Sequence, residues 1–296
     1  MIFITGMTGT SGSALYGVLC REQFKEKLKI AVRPTSDLSI FENSPLDIEF
    51  AYGDITDEGF LVSAMEGCDT VFHIAEKLLT EYVWHAIMRS PQIKYVILVS
   101  STLIYSKYYP HSPLHVFEPQ IRKDFEERGI KYVFIRPTMI FGTPKDRNIS
   151  TFIRWFNKYP VFPIVSKGEA NIQPVSRLDV AEGYYSVLKN LKTLKQTDYI
   201  VSGDREMKLI DMFRTITRLS NHKVRFFNVP YGFAKFCVRL VYILSFKKIK
   251  YMEKLDRLTE DRAYSHDVIT EELGYSPMPF EDRVKPLIDE IKGEKK

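Results

Sequence analysis

Residues 1–17 read MIFITGMTGTSGSALYG, an apolar, β-branched run that passes directly into glycines spaced three apart, Gly6, Gly9 and Gly12. A strand opening through GxxGxxG into a helix is the arrangement that a dinucleotide pyrophosphate requires. Gly6 permits the tight turn, Gly9 lets the backbone approach the phosphates, and Gly12 lets the helix pack closely on the strand. The helix N-terminus then offers unpaired N–H groups and the positive end of its dipole. Thr5, Thr8, Thr10 and Ser11 frame the glycines as further cofactor-binding candidates. The bland alternative is a glycine-rich turn that holds nothing.

Outward from this loop, short β-branched runs alternate with helical patterns. Strands are expected at Met1–Thr5, Leu28–Val32, Ile48–Ala51, Thr70–Ile74, Tyr95–Ser100 and Tyr132–Arg136. Helices are expected at Ser11–Glu22, Asp57–Glu66, Thr80–Arg89 and Pro119–Arg128. Strands and helices in this alternation give a parallel sheet covered on both faces, with right-handed crossovers. The fold class is therefore α/β, a Rossmann-type doubly wound parallel sheet with a smaller mixed C-terminal substrate lobe. After Gly142 the rhythm breaks. Residues 1–142 are read as the dinucleotide-binding core, which strands near 172–202 rejoin, and 143–296 as largely substrate lobe and C-terminal helices.

Composition narrows the class. The chain of 296 residues has a net charge of +5 and 45% hydrophobic residues, as expected of a globular protein that binds anionic small molecules rather than nucleic acid. Cys20, Cys68 and Cys237 are few, odd in number and widely spaced, which points to a reducing cytoplasm and offers no metal site. No charged region followed by a long apolar stretch marks a secretory signal at the start.

The second strand ends at Arg33, in KIAVRPTSD, with Thr35 and Ser36 beyond it. An acidic residue there would bond the adenosine ribose 2′-hydroxyl, whereas a guanidinium with hydroxyls suits a 2′-phosphate. NADP(H) is favoured, and NAD(H) stays open if Arg33 only stacks on adenine.

Together these residues resemble the extended short-chain dehydrogenase/reductases, specifically the NAD(P)-dependent nucleotide-sugar epimerase/dehydratase group. TGMTGTSG resembles its nucleotide loop, and YGDITD, with Asp54 and Ile55, its segment near the adenine. VFHIAE resembles the segment beneath the nicotinamide-side ribose, with His73, Ile74 and Ala75. LVSSTLIYS resembles the strand that carries the catalytic Ser/Thr. IRPTMIFG, with Pro137, Thr138 and Met139, resembles the loop against the nicotinamide, and QPVSRLDVA and RLTEDRAYSHDVITEELGYSPMPFEDRV resemble later landmarks. The likeness covers nearly the whole chain.

One part is missing. The family's engine is a Tyr-x-x-x-Lys pair in which the lysine charge lowers the tyrosine pKa. The expected places hold Leu114 and Glu118, and no such pair occurs between Ser100 and Arg136. What remains is SSTLIYSKYYPHS, where Ser100, Ser101 or Thr102 are candidates for bonding a substrate oxygen, and Tyr105, Lys107 or Tyr109 for supplying a proton. Ser100 also falls among the cofactor contacts. The alternative is that these tyrosines wall the pocket or stack on a sugar.

In the later lobe, GTPKDRNIS supplies Lys145, Arg147 and Asn148, and Arg177 and Arg262 are further candidates for a substrate diphosphate. Each reads equally as an ordinary exposed polar residue. Residues 233–250 pair an apolar run with Lys235, Arg239, Lys247, Lys248 and Lys250. This helix either packs on the core or rests on an anionic membrane.

The resemblance implies an NADP(H)-binding oxidoreductase or epimerase acting on a nucleotide-linked sugar, in surface polysaccharide synthesis. It would be cytoplasmic, peripheral to the inner face of the membrane, and homodimeric. Two alternatives are a catalytically silent NAD(P)-binding sensor or scaffold, and a reductase of a non-sugar carbonyl or quinone.

Overall fold

A computed structural model describes residues 1–110, 112–146, 148–244 and 252–294. Arg147, Lys247, Lys248 and Lys250 fall outside the described residues.

The first part of the chain alternates as its pattern requires: β1 (Ile2–Thr5), α1 (Thr10–Arg21), β2 (Leu28–Val32), β3 (Ile48–Tyr52), α2 (Glu58–Ala64), β4 (Thr70–His73), α3 (Thr80–Met88), β5 (Tyr95–Val99), α4 (Leu114–Glu127) and β6 (Lys131–Pro137). The lobe and its return follow as β7 (Ile140–Phe141), α5 (Ile149–Lys158), β8 (Val161–Val165), β9 (Asn171–Ile172), β10 (Val175–Ser176), α6 (Arg177–Asn190) and β11 (Asp198–Val201). The last part holds β12 (Met207–Lys208), α7 (Leu209–Leu219), β13 (Arg225–Val229), α8 (Tyr231–Leu244), α9 (Met252–Arg257), α10 (Asp267–Leu273) and α11 (Phe280–Gly293).

Seven parallel strands run in the order β11-β6-β5-β4-β1-β2-β3. The order reverses at β1, so the crevice at the carboxyl ends of β1 and β4 is where such a sheet takes a ligand. Side chains of β1 are buried on both faces. Ile2 and Ile4 pack with residues of α1 and α6, while Phe3 packs with residues of α2, α3 and α4. That explains why the strand reads as a continuous apolar run.

Two expectations shift. Helix α4 begins at Leu114 rather than near Pro119, because Leu114 and Glu118, one turn apart on one face, are both buried and draw the preceding turn into the helix. Of the strands near 172–202, β11 joins the sheet beside β6, whereas β9 and β10 pair with β12 and β7 outside it.

The lobe centres on a cluster of aromatic rings, Phe152, Phe156, Phe162, Phe213 and Phe226, set mostly edge to face. This cluster is closed by α5, α7 and α11 and by the parallel pair β8–β13. Asp179 anchors α11 to α6 through Arg283 at 2.6 Å and the Met278 N–H, while Ser176 caps α6.

Candidate active site

At the glycine loop, each glycine has a physical reason. Gly6 sits at φ +81, and a Cβ there would lie 2.5 Å from the Ala75 nitrogen. At Gly12 a Cβ would fall 2.1 Å from the Gly6 carbonyl oxygen. Gly9 is the N-cap of α1, and no side chain caps that helix. Its first N–H groups therefore face the crevice with no protein partner, a ready seat for phosphate.

From this loop a trough crosses the carboxyl ends of the strands as three connected recesses. The first, about 350 Å³, is bounded by Gly6, Gly9, Arg33, Ser36, Asp54 and Ile55, with Thr8. Arg33 and Ser36 stand together at its outer end, where the Arg33 N–H donates to Ser36 Oγ at 3.1 Å. Thr35, expected beside them, lies exposed in the turn. Asp54 accepts from the Thr56 N–H and hydroxyl, both at 2.8 Å and both through Oδ1. These bonds hold its carboxyl below the usual range.

The second recess, about 290 Å³, runs from Ser11 through Ile74 and Ala75 to Ser100, Pro137 and Thr138. Thr5 and His73 lie beneath the first two recesses, hydrogen-bonded to each other at 2.7 Å. Burial, only partly offset by the Glu76 backbone, pulls His73 down to about 4, so it is a neutral structural imidazole. Tyr184 of α6 also borders this recess, completely buried, with a hydroxyl that has the Ser11 side chain beside it but forms no hydrogen bond of good geometry among the described residues. The glycine cradle, the uncapped helix and this hydroxyl fit a dinucleotide lying along both recesses. A bound nicotinamide would supply or accept hydride at the inner end.

At that inner end the expected catalytic cluster divides. Ser100 donates to Glu118 and accepts from Arg136 Nη1 at 3.0 Å. Arg136 also meets Glu118 Oε2 at 2.6 Å and Asp198 Oδ1 at 2.7 Å, and Arg122 grips Asp198 from outside at 2.7 Å. Glu118 and Arg136 are only 3% and 2% exposed. Burial opposes the Arg136 charge, but the Glu118 bond and the two carboxylates outweigh it and raise its pKa. Glu118, which the sequence reading expects at the place of the family's lysine, is thus locked in a buried ion pair with Arg136.

Ser101 and Thr102 follow a different course. Ser101 caps the Leu103 N–H at 3.2 Å through its oxygen and borders both the second and third recesses. Thr102 lines the third. Tyr105, 50% exposed, lines a separate cavity with Arg122 and Arg136 on the far side of that ion network. Lys107 is exposed with its ammonium over the Tyr108 ring, and Tyr109 is half-buried in the same turn.

The third recess, about 460 Å³, opens between the sheet and the lobe. The substrate candidates Asn148 and Arg262 line it, and so does Met139, expected among the cofactor contacts; Gln173, Arg257 and Tyr264 join them. The Nε atoms of Arg257 and Arg262 are both buried with no hydrogen-bond partner among the described residues. Burial, then the like charge of Arg257, depresses the Arg262 pKa. Arg177 instead packs on Gly142 and donates to its carbonyl at 3.1 Å, and Lys145 is exposed in the neighbouring turn.

Glu76, Lys77, Ser101, Thr138 and Ile140 border both the second and third recesses. Burial, reinforced by Arg257, lowers the Lys77 pKa against the pull of Glu76. Glu76 and Lys77 follow the HIA segment directly, yet nothing local in the sequence showed that they stand at this junction.

A model of the NAD dependent epimerase/dehydratase family matches residues 2–202. The chain belongs to that family. Among curated proteins, none matches it by sequence. Solved structures of similar fold align with almost the whole chain. The structure of gox2253 shares 21% identity at a TM-score of 0.78, covering 99% of this chain and 98% of the other. PA4631, a nucleoside-diphosphate-sugar epimerase from Pseudomonas aeruginosa, shares 15% identity at 0.74 with 99% and 97% covered. The UDP-glucose 4-epimerase of Thermus thermophilus, solved with NAD, shares 16% at 0.70 with 99% of each chain covered. These likenesses show the Rossmann-like α/β fold. Membership makes the chain one of a family of NAD(P)-dependent enzymes.

Proposed function

We propose that this family member is an NADP(H)-dependent oxidoreductase or epimerase acting on a nucleotide-linked sugar. The dinucleotide lies along the first two recesses, its 2′-phosphate against Arg33 and Ser36 and its pyrophosphate on the α1 N-terminus. The sugar nucleotide fills the third recess with its diphosphate between Arg257 and Arg262. The observation that carries this reading is that pair of arginines lining one cavity: Glu253 meets Arg257 at 3.1 Å, whereas Arg262 has no carboxylate partner among the described residues. Arg262, buried beside a second guanidinium and without a carboxylate of its own, calls for an anion, and arginine forks suit a diphosphate.

With Ser100 saturated by Glu118 and Arg136, its hydroxyl has no proton left to offer a substrate. Ser101 keeps its proton, because only its oxygen is engaged. It holds the reacting sugar oxygen, and Lys77 beside it moves the proton. The other candidates of the 105–109 turn position this loop rather than touch the sugar.

Calorimetric titration with UDP or dTDP tests the diphosphate site. Arg262→Met should weaken binding about 30-fold or more, on the scale of a lost charge-assisted pair. Equal binding by the variant would remove the nucleotide sugar from the third recess. Fluorescence titration with NADPH and NADH tests the first recess, and a preference for NADH would reassign Arg33. A second reading, a cofactor-holding sensor without turnover, is favoured by the saturation of Ser100. Tight NADPH binding with no change by NMR in any nucleotide keto-sugar would establish it.

A further inference from the structure

The outer face of α8 is unlike the rest of the surface. Phe233 and Phe236 are 62% and 63% exposed and Leu240 is 46% exposed. With exposed Cys237 they follow the spacing i, i+3, i+4, i+7, which is a single continuous stripe along one side of the helix. The helix is held from the opposite side: Ala234 is buried, Tyr231 bonds Asp256 of α9, and Leu255 of α9 is buried beneath. The apolar run expected either to pack on the core or to rest on a membrane therefore shows its largest apolar side chains to solvent. Scattered exposed hydrophobics are ordinary, but an aligned set on one helix is not.

The charge of the sequence on either side of this helix is equally one-sided. Between Asp211 and Glu253 the sequence contains nine Lys or Arg residues and no Asp or Glu. Since the whole chain carries only +5, the remainder carries a net −4. Lys235 and Arg239 on α8 meet no carboxylate among the described residues, and Lys235 lies over the Tyr231 ring. No described helix is long and apolar enough to cross a bilayer. An aromatic-aliphatic stripe on a surface helix whose remaining face carries Arg239 to one side and Lys235 behind, with no acidic residue, is the composition of an element that lies in the interface of an anionic membrane.

We propose that α8 docks this protein on an anionic lipid surface, inserting Phe233, Phe236 and Leu240 among the acyl chains while exposed Arg239, to one side of the stripe, meets the headgroup phosphates. A second copy of the chain is the competing occupant. Its own surface here is also basic, so two such faces would bring like charges together, whereas a lipid phosphate layer complements them. Helix α8 borders none of the three recesses, so docking leaves the dinucleotide and substrate sites open to solvent.

Co-sedimentation of the full chain with vesicles of equal phosphatidylglycerol and phosphatidylcholine tests this directly. At 0.1 M salt most of the protein should pellet. Partitioning should fall at least tenfold on pure phosphatidylcholine, or at 0.5 M salt. The double substitution Phe233→Ser, Phe236→Ser should also reduce it at least tenfold while leaving NADPH affinity unchanged, which certifies the fold. Phe236→Trp should show a blue-shifted emission with anionic vesicles, quenched by brominated acyl chains. Absence of pelleting with phosphatidylglycerol at low salt overturns the proposal. So does pelleting that survives the double substitution. Sedimentation analysis showing a dimer that the double substitution dissolves, with no vesicle binding, would overturn it too and give the face to a second copy.

Discussion

The glycine loop and the β5–α4 corner stand at the carboxyl ends of neighbouring strands in one sheet, yet they treat their polar groups in opposite ways. The loop leaves donors unspent: the first N–H groups of an uncapped helix and the hydroxyl of Tyr184. The corner spends everything, with Ser100, Glu118, Arg136, Asp198 and Arg122 bonded in one chain. Unsatisfied groups mark where a ligand completes the structure, and saturated ones mark where the structure completes itself. By that criterion the loop is a candidate binding site, and the corner around Ser100 and Glu118 is a structural brace.

The largest test of this contrast is the brace. Arg136→Leu leaves Glu118 buried with no cation of its own, since Arg122 holds only Asp198, and should cost about 3–5 kcal/mol of folding stability by chemical denaturation. A loss under 1 kcal/mol would mean that the corner is not a brace, and the contrast would collapse. Next comes the floor between the two regions. His73 titrates near 4 when folded against an ordinary 6.5, so between those values the unfolded chain binds a proton that the folded chain refuses. Stability should therefore fall as pH drops from 6.5 to 4, by about 3 kcal/mol at 1.36 kcal/mol per pKa unit. His73→Asn should flatten that slope, whatever its effect at neutral pH; an unchanged slope would assign the acid sensitivity elsewhere. The smallest effect sharpens the binding side. Tyr184→Phe removes a hydroxyl that forms no hydrogen bond of good geometry, so the ligand-free protein should be as stable or more stable by thermal melting. NADPH affinity should drop about tenfold, one hydrogen bond's worth. A lower melting temperature with unchanged affinity would make Tyr184 an ordinary core residue.

The binding region was legible from sequence because its causes are local. Gly6, Gly9 and Gly12 lie within seven residues of one another, flanked by the strand and helix they join, and the structure gives each one a geometric reason. Most expected cofactor contacts line the first two recesses, with Ser36 taking the place of Thr35. The brace was not legible. Glu118 was visible as a residue unfit for the lysine's role, but its cation stands 18 residues away and the carboxylate beyond it 62 residues further. No periodicity links positions that meet only after the sheet assembles. The third recess shows the same limit. Arg262 stood out through family resemblance, while Arg257 and Lys77 gained their place from the way α9 and the β4–α3 loop come together. Tyr105 looked catalytic by its neighbours in sequence and lies behind the ion network in space.

The position of β11 at the sheet edge has a consequence for how the chain is made. β6 pairs with β5 on one side, but its other side waits for β11, and residues 138–197 must be synthesised in between. At about 5–20 residues per second, that edge stays bare on the ribosome for roughly 3–12 s. The exposed strand would be KYVFIRP, apolar and β-prone, the kind of edge that recruits other strands. Arg136, at its end, spends the same interval with Asp198 not yet made. Nascent-chain handling, rather than the finished fold's stability, is then the step at which substitutions in β6 are felt first.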